Sequence, residues 1–89
     1  MRKFLIDESL QKILTKLYKK EKDMYESVMK KMDEILTCSD VNHYKNLRRP
    51  MQEFKRVHIK SSFVMIFKYN QKEDSIIFYD LDHHDNIYK

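Results

Sequence analysis

Apolar side chains return along this chain in two different rhythms. In the first half the interval is three to four residues. Leu10, Ile13, Leu14 and Leu17 stand at i, i+3, i+4 and i+7, one stripe of an amphipathic helix running to about Lys20. Asp7 or Ser9 caps its start, and Asp7 and Glu8 put negative charge where the helix dipole favours it. After the polar break Lys19-Lys20-Glu21-Lys22 comes a second stripe of Tyr25, Val28, Met29, Met32, Ile35 and Leu36. Two antiparallel helices joined by a short charged turn are the simplest reading, with the tyrosine and methionines filling a core. Ahead of them, Arg2 to Ile6 closes on Phe4-Leu5-Ile6 and suits a short opening strand.

In the second half the interval falls to two. Phe54 to Lys60, Phe63 to Tyr69 and Ser75 to Tyr88 are rich in Val, Ile, Phe and Tyr, and the polar breaks Ser61-Ser62 and Asn70 to Asp74 separate them. That pattern predicts a three-stranded antiparallel meander. In its first strand Val57 and Ile59 share one face while Arg56, His58 and Lys60 share the other, because successive side chains leave opposite faces. Thr37 to Gln52 has neither rhythm and reads as a loop, long enough to suggest function. The expected fold is therefore α+β in two layers: a short N-terminal strand, a two-helix hairpin, then the meander. The helices cover one sheet face, and the face with Arg56, His58 and Lys60 is expected to be open.

Eighty-nine residues suit a single domain, 1–89, with a modest core. No apolar run is long enough to cross a bilayer and Met1-Arg2-Lys3-Phe4 carries no signal-peptide pattern, so a cytoplasmic protein without a membrane partner is expected. Cys38 has no second cysteine to pair with and reads as a small filler near a helix end. Glycine is absent, so Asn, Asp and Ser must make the turns. The net charge of +4 is concentrated: between residues 42 and 60, Lys45, Arg48, Arg49, Lys55, Arg56 and Lys60 face Glu53 alone. Such a focus attracts a phosphate backbone. Asp82, His83, His84 and Asp85 are residue types that bind zinc, but neighbours on a strand point to opposite faces, so no metal site is expected.

The order of these segments resembles the RelE/ParE superfamily of toxin-antitoxin toxins. The likeness is carried by Ile6-Asp7-Glu8-Ser9-Leu10, the helical pair and the Lys45-Asn46-Leu47-Arg48 loop. It continues through Arg56-Val57-His58-Ile59-Lys60-Ser61-Ser62-Phe63-Val64-Met65-Ile66-Phe67 and ends in His83-His84-Asp85-Asn86-Ile87-Tyr88. Within the superfamily it is nearer to the YafQ branch of mRNA interferases, whose strand histidine and C-terminal histidine match His58 and His84. Val64 stands where RelE places an arginine, and Ser62 where YafQ has an acidic turn residue.

What this resemblance implies is a ribosome-dependent endoribonuclease that needs no cofactor. The RNA 2′-hydroxyl attacks its own 3′ phosphate, leaving a cyclic phosphate and a free 5′-hydroxyl. Imidazole, titrating near neutrality, suits both proton transfers, and arginine suits the charge developing on phosphorus. The implied catalytic group is His58 and His84 as proton partners, Tyr88 stacking or sharing a proton, Arg56 on the phosphate and Ser62 as a hydrogen-bonding turn residue. Lys45, Arg48, Arg49, Lys55 and Lys60 would bind the backbone of message or ribosomal RNA. A cognate antitoxin would be the protein partner. A gyrase-inhibiting toxin of the ParE kind, or a catalytically degenerate relative that only binds antitoxin, would share the fold without the chemistry.

Overall fold

Strand β1 (Lys3–Ile6) opens the chain, followed by helix α1 (Glu8–Lys20), helix α2 (Lys22–Thr37) and strands β2 (Lys55–Ile59), β3 (Phe63–Asn70) and β4 (Ser75–His83). A single C-terminal turn, α3 (His84–Ile87), closes it. This is a computed structural model that describes residues 1–87. The strands form one sheet in the order β1-β4-β3-β2. The meander β2-β3-β4 is antiparallel, and β1 lies parallel to β4 at one edge, Ile6 beside Phe78. A parallel neighbour needs a long crossover, and the helical hairpin and the meander together supply it. The α+β architecture is thus the expected one, with β1 completing a four-stranded sheet.

The helices form where the apolar stripes predict. The Asp7 carboxylate caps α1 by accepting from the Ser9 amide at 3.1 Å. The hairpin turns at Glu21, which ends one helix and precedes the next. Leu10, Leu14, Leu17, Val28, Met32, Ile35 and Leu36 are buried against Ile59, Met65, Phe67, Ile76, Phe78 and Leu81 of the sheet. Cys38 ends α2, half-buried, as the filler expected there. The Arg2 guanidinium donates to the carbonyls of Leu36 and Cys38, groups the last helical turn leaves without partners, and to the Asp74 carboxylate at 2.8 Å. Tyr69 Oη donates to the same carboxylate, so one acid ties the β3-β4 turn to the end of α2. Among the described residues no helix is long and apolar enough to cross a membrane.

The second sheet face departs from the open surface expected of it. Val64 and Ile66 point away from the helices and are covered by Leu47, with Phe54, Tyr79 and Ile87 packed around them. The loop folds back along β2: Leu47 N–H donates to the Phe54 carbonyl at 2.8 Å and Arg56 N–H to the Lys45 carbonyl at 2.9 Å. The apolar pair Val64 and Ile66 explains the cover, since bare they would leave two large side chains in water.

Without glycine, the two tight turns use Lys60 at φ 56° and Asp74 at φ 51°. Aspartate tolerates that region, whereas for lysine the crowded Cβ costs roughly 1–2 kcal/mol. Relief of that strain exceeds glycine's extra chain entropy of about 0.5–1 kcal/mol. Lys60→Gly is therefore expected to raise the unfolding free energy by up to about 1 kcal/mol, measured by urea titration; an unchanged or lower midpoint would show that the turn holds no strain. The Tyr69 hydroxyl and the Arg2 guanidinium hold the Asp74 carboxyl below its ordinary range. A depressed carboxyl stabilises the fold above its unfolded pKa and loses that contribution as pH falls through its folded one. The stability advantage of wild type over Asp74→Asn is thus expected at neutral pH and should vanish in acid melts below the usual carboxylate range. A difference independent of pH would be evidence against it.

Candidate active site

Three segments converge on the face away from the helices. Alternation along β2 turns Arg56 and His58 to that side, opposite Ile66 and Val64 of β3. Strand β4 runs on until His83 pairs with Phe63 at the far end of β3, and there the His84 amide donates to the Ser62 carbonyl at 2.7 Å. That bond sets His84 beside His58: the imidazole centroids are 5.6 Å apart and the planes meet at 27°. The loop contributes Lys45, hydrogen-bonded through its carbonyl to the Arg56 amide. Lys45, Asn46, Arg48, Arg56, His58 and His84 line a cleft of about 450 Å³.

The cleft carries three permanent cations and two imidazoles, so it is built for an anion. His58 is exposed and His84 half-exposed, and both can reach a bound molecule. Acid lies to one side of the pair, with Asp85 at 3.7 Å from His84 Nδ1 and 3.9 Å from His83 Nδ1. Asp82 stands across β3 from His58 through Val64. Next along β4, burial pushes the Asp80 carboxyl above its usual range, and repulsion from Asp82 adds to this. Among the described residues no three His, Cys, Asp or Glu side chains converge where a metal ion could sit.

Of the residues singled out in the sequence, Arg56, His58, His84, Lys45 and Arg48 meet at this cleft. Ser62 is beside it, and its established contact is through the carbonyl that holds His84. Arg49 is exposed but does not line the cleft. Lys60 does not share the face of Arg56 and His58, because β2 ends at Ile59 and the left-handed turn carries Lys60 to the helical hairpin, where it lies near Lys20, Glu21 and Lys22. Lys55 is only 7% exposed. It has the parity of Val57 and Ile59 and points to the core side, its ammonium bonded to the Tyr44 carbonyl and Asn46 Oδ1, each at 3.1 Å. It is thus not a surface cation. Tyr88 lies outside the described residues. Asn46, which the sequence offers only as part of the Lys45-Asn46-Leu47-Arg48 loop and without a role, also lines the cleft.

No protein-family model matches this chain. A Methanocaldococcus jannaschii protein named "Putative toxin RelE4" is 52% identical over 81 residues, 91% of this chain and 84% of that protein. Among solved structures, a YoeB/ParE toxin from Agrobacterium tumefaciens superposes with a TM-score of 0.78 at 10% identity, over 92% of this chain and 98% of the other. A YafQ mutant from E. coli gives 0.74 at 14% identity over the whole of both chains. The E. coli RelBE toxin-antitoxin complex gives 0.70 at 18% identity, over 91% and 94%. At such identities the structures bear on the fold alone, and the M. jannaschii relative bears on the family. By its 52% identity to the M. jannaschii protein over 91% of its length, the chain belongs to the RelE/ParE superfamily of toxin-antitoxin toxins.

Proposed function

We propose that the chain is an mRNA interferase, an endoribonuclease acting on ribosome-bound message, whose activity a cognate antitoxin restrains. The observation that carries the reading is the pair of imidazoles, 26 residues apart in sequence and stacked at 5.6 Å over a cleft lined by Lys45, Arg48 and Arg56. Cleavage by the neighbouring 2′-hydroxyl needs a base at the attacking oxygen and an acid at the departing one, with the two oxygens roughly in line through phosphorus. Each imidazole nitrogen must come within about 3 Å of its oxygen. Two rings at this spacing can address both sides of one phosphate. Arg56, two residues from His58 on the same strand face, would neutralise the equatorial oxygens as charge develops. Lys45 and Arg48 would hold the backbone on either side.

The His84 amide bond to Ser62 makes this a preorganised site, since a main-chain contact fixes where the second imidazole starts. No group beyond these side chains is required by the reaction: the 2′-oxygen gives its proton to one imidazole, a new P–O bond closes the ring, and the 5′-oxygen leaves with a proton from the other. The antitoxin as partner is supported by the shared fold of the toxin in the E. coli RelBE complex. An amphipathic helix or extended segment of such a partner would inhibit by occupying the cleft or its rim.

Primer extension on a translated message tests the reaction. His58→Ala and His84→Ala are each expected to slow cleavage by about 10²–10⁴-fold, with the thermal melt preserved because neither ring is buried. Full activity in the double variant would overturn the assignment, and intact message together with inhibited supercoiling by gyrase would select the other toxin chemistry. Binding to a non-cleavable 2′-O-methyl oligonucleotide tests the cations separately. Removing Lys45, Arg48 or Arg56 should each flatten the plot of log affinity against log salt by about 0.7, while Lys60→Ala should leave the slope unchanged. A slope that responds equally to Lys60 would move the RNA path off the cleft.

A further inference from the structure

Lys55 is, among the described residues, the one charged or polar side chain that is buried. Burying an ammonium is costly unless it is fully hydrogen-bonded, and here desolvation lowers its pKa. A leucine or methionine would fill the same core-side position of β2 without that cost. The two acceptors bear on why the charge is there. They belong to residues 44 and 46, one on each side of Lys45. Between them the Lys45 carbonyl accepts from the Arg56 amide, and Asn46 forms a bridge with Lys55 along the strand edge. Tyr44 packs into the main core and Leu47 onto the opposite sheet face, while Lys45 and Asn46 both line the cleft and the Asn46 oxygen is turned to Lys55. Asn46 Nδ2 also ties the far end of the loop by donating to the Gln52 carbonyl at 2.7 Å.

We propose that Lys55 is a positioning residue: its buried ammonium clamps residues 44 and 46 so that Lys45 is presented over the cleft as an RNA-phosphate contact. The inference rests on the nuclease reading, and it assigns Lys55 an indirect part in RNA binding through the loop. Apolar packing of Tyr44 and Leu47 is non-directional, whereas two oxygen acceptors around one ammonium add to the main-chain bonds at Lys45 and Leu47 in fixing the register of the loop against β2.

Two measurements on the full chain decide it. The first is binding of a 2′-O-methyl single-stranded oligonucleotide by wild type, Lys55→Met, Lys45→Ala and the double variant. Each single change is expected to weaken binding roughly tenfold, the loss of one charge-assisted contact. The double variant should bind no more weakly than Lys45→Ala alone, because both changes remove the same contact. The second is amide exchange. In Lys55→Met the Arg56 and Leu47 amides should lose protection while that of Met65, in the centre of the sheet, keeps it. Asn46→Ala, a surface change that leaves the core intact, should produce a smaller loss at the same amides, which covers the case in which Lys55→Met fails to fold. Losses that add in the double variant, or unchanged exchange at Arg56 and Leu47 in both variants, would overturn the clamp. A wild type that binds no oligonucleotide would instead remove the nuclease reading on which it rests.

Discussion

Strand β4 serves both faces of the sheet because it carries one residue more than its partner. Its apolar residues Ile76 and Phe78 share one parity and Leu81 has the other, yet all three lie in the helix-facing core. A strict two-residue period would send Asp80 and Asp82 into that core behind Phe78 and turn Leu81 out. Two unpaired carboxylates there would cost several kcal/mol each. The register shift between Ile66 and Phe67, which pair with Asp80 and Phe78, leaves Tyr79 as the extra residue and corrects the parity. Bulges also bend a strand and sharpen its twist. Beyond this one the end of β4 meets the β2-β3 turn, where the Ser62 carbonyl captures the His84 amide. The same irregularity thus keeps the core apolar and delivers the second histidine.

What sits around the two histidines depends on how the exposed edge of β2 is handled. An edge strand with open amides invites pairing with other chains, and here the 44–47 segment answers it with main-chain bonds to Phe54 and Arg56. Those bonds bring Lys45 and Arg48 toward Arg56, so covering the edge also gathers positive charge. Folding such cations together works against stability in the absence of a ligand, and a bound polyanion relieves the repulsion. A surface selected for stability alone would spread them apart.

Most of the architecture was legible because it follows from period. Leu10, Leu14 and Leu17, then Val28, Met32, Ile35 and Leu36, are buried as their spacing requires, and Val57 and Ile59 separate from Arg56 and His58 as a strand requires. The proximity of His58 and His84 came from the family resemblance, since no local rule links residues so far apart. Two misplacements have local physical causes. Counting on past Ile59 puts Lys60 on the open face, but the strand stops there and a left-handed turn intervenes. Charge alone groups Lys55 with the surface cations, although its parity with Val57 puts it on the core side. The covering of Val64 and Ile66 leaves no mark in the sequence, because a loop without periodicity gives no sign of where it packs.

Val64 shows how a shared fold and a changed site fit together. The resemblance to RelE calls for arginine at this position, and the valine is instead fully buried beneath Leu47. A guanidinium there would have to displace Leu47 or be buried with its charge, so the valine and the loop's docking are one choice. Leu47 then acts as an anchor, and the residues on either side of it in the loop, Lys45 and Arg48 among them, are held at the cleft rim. Positive charge at the cleft comes in this way from the loop as well as from Arg56 of β2. The sheet itself is set by backbone pairing and parity, which explains how chains 10–18% identical keep it.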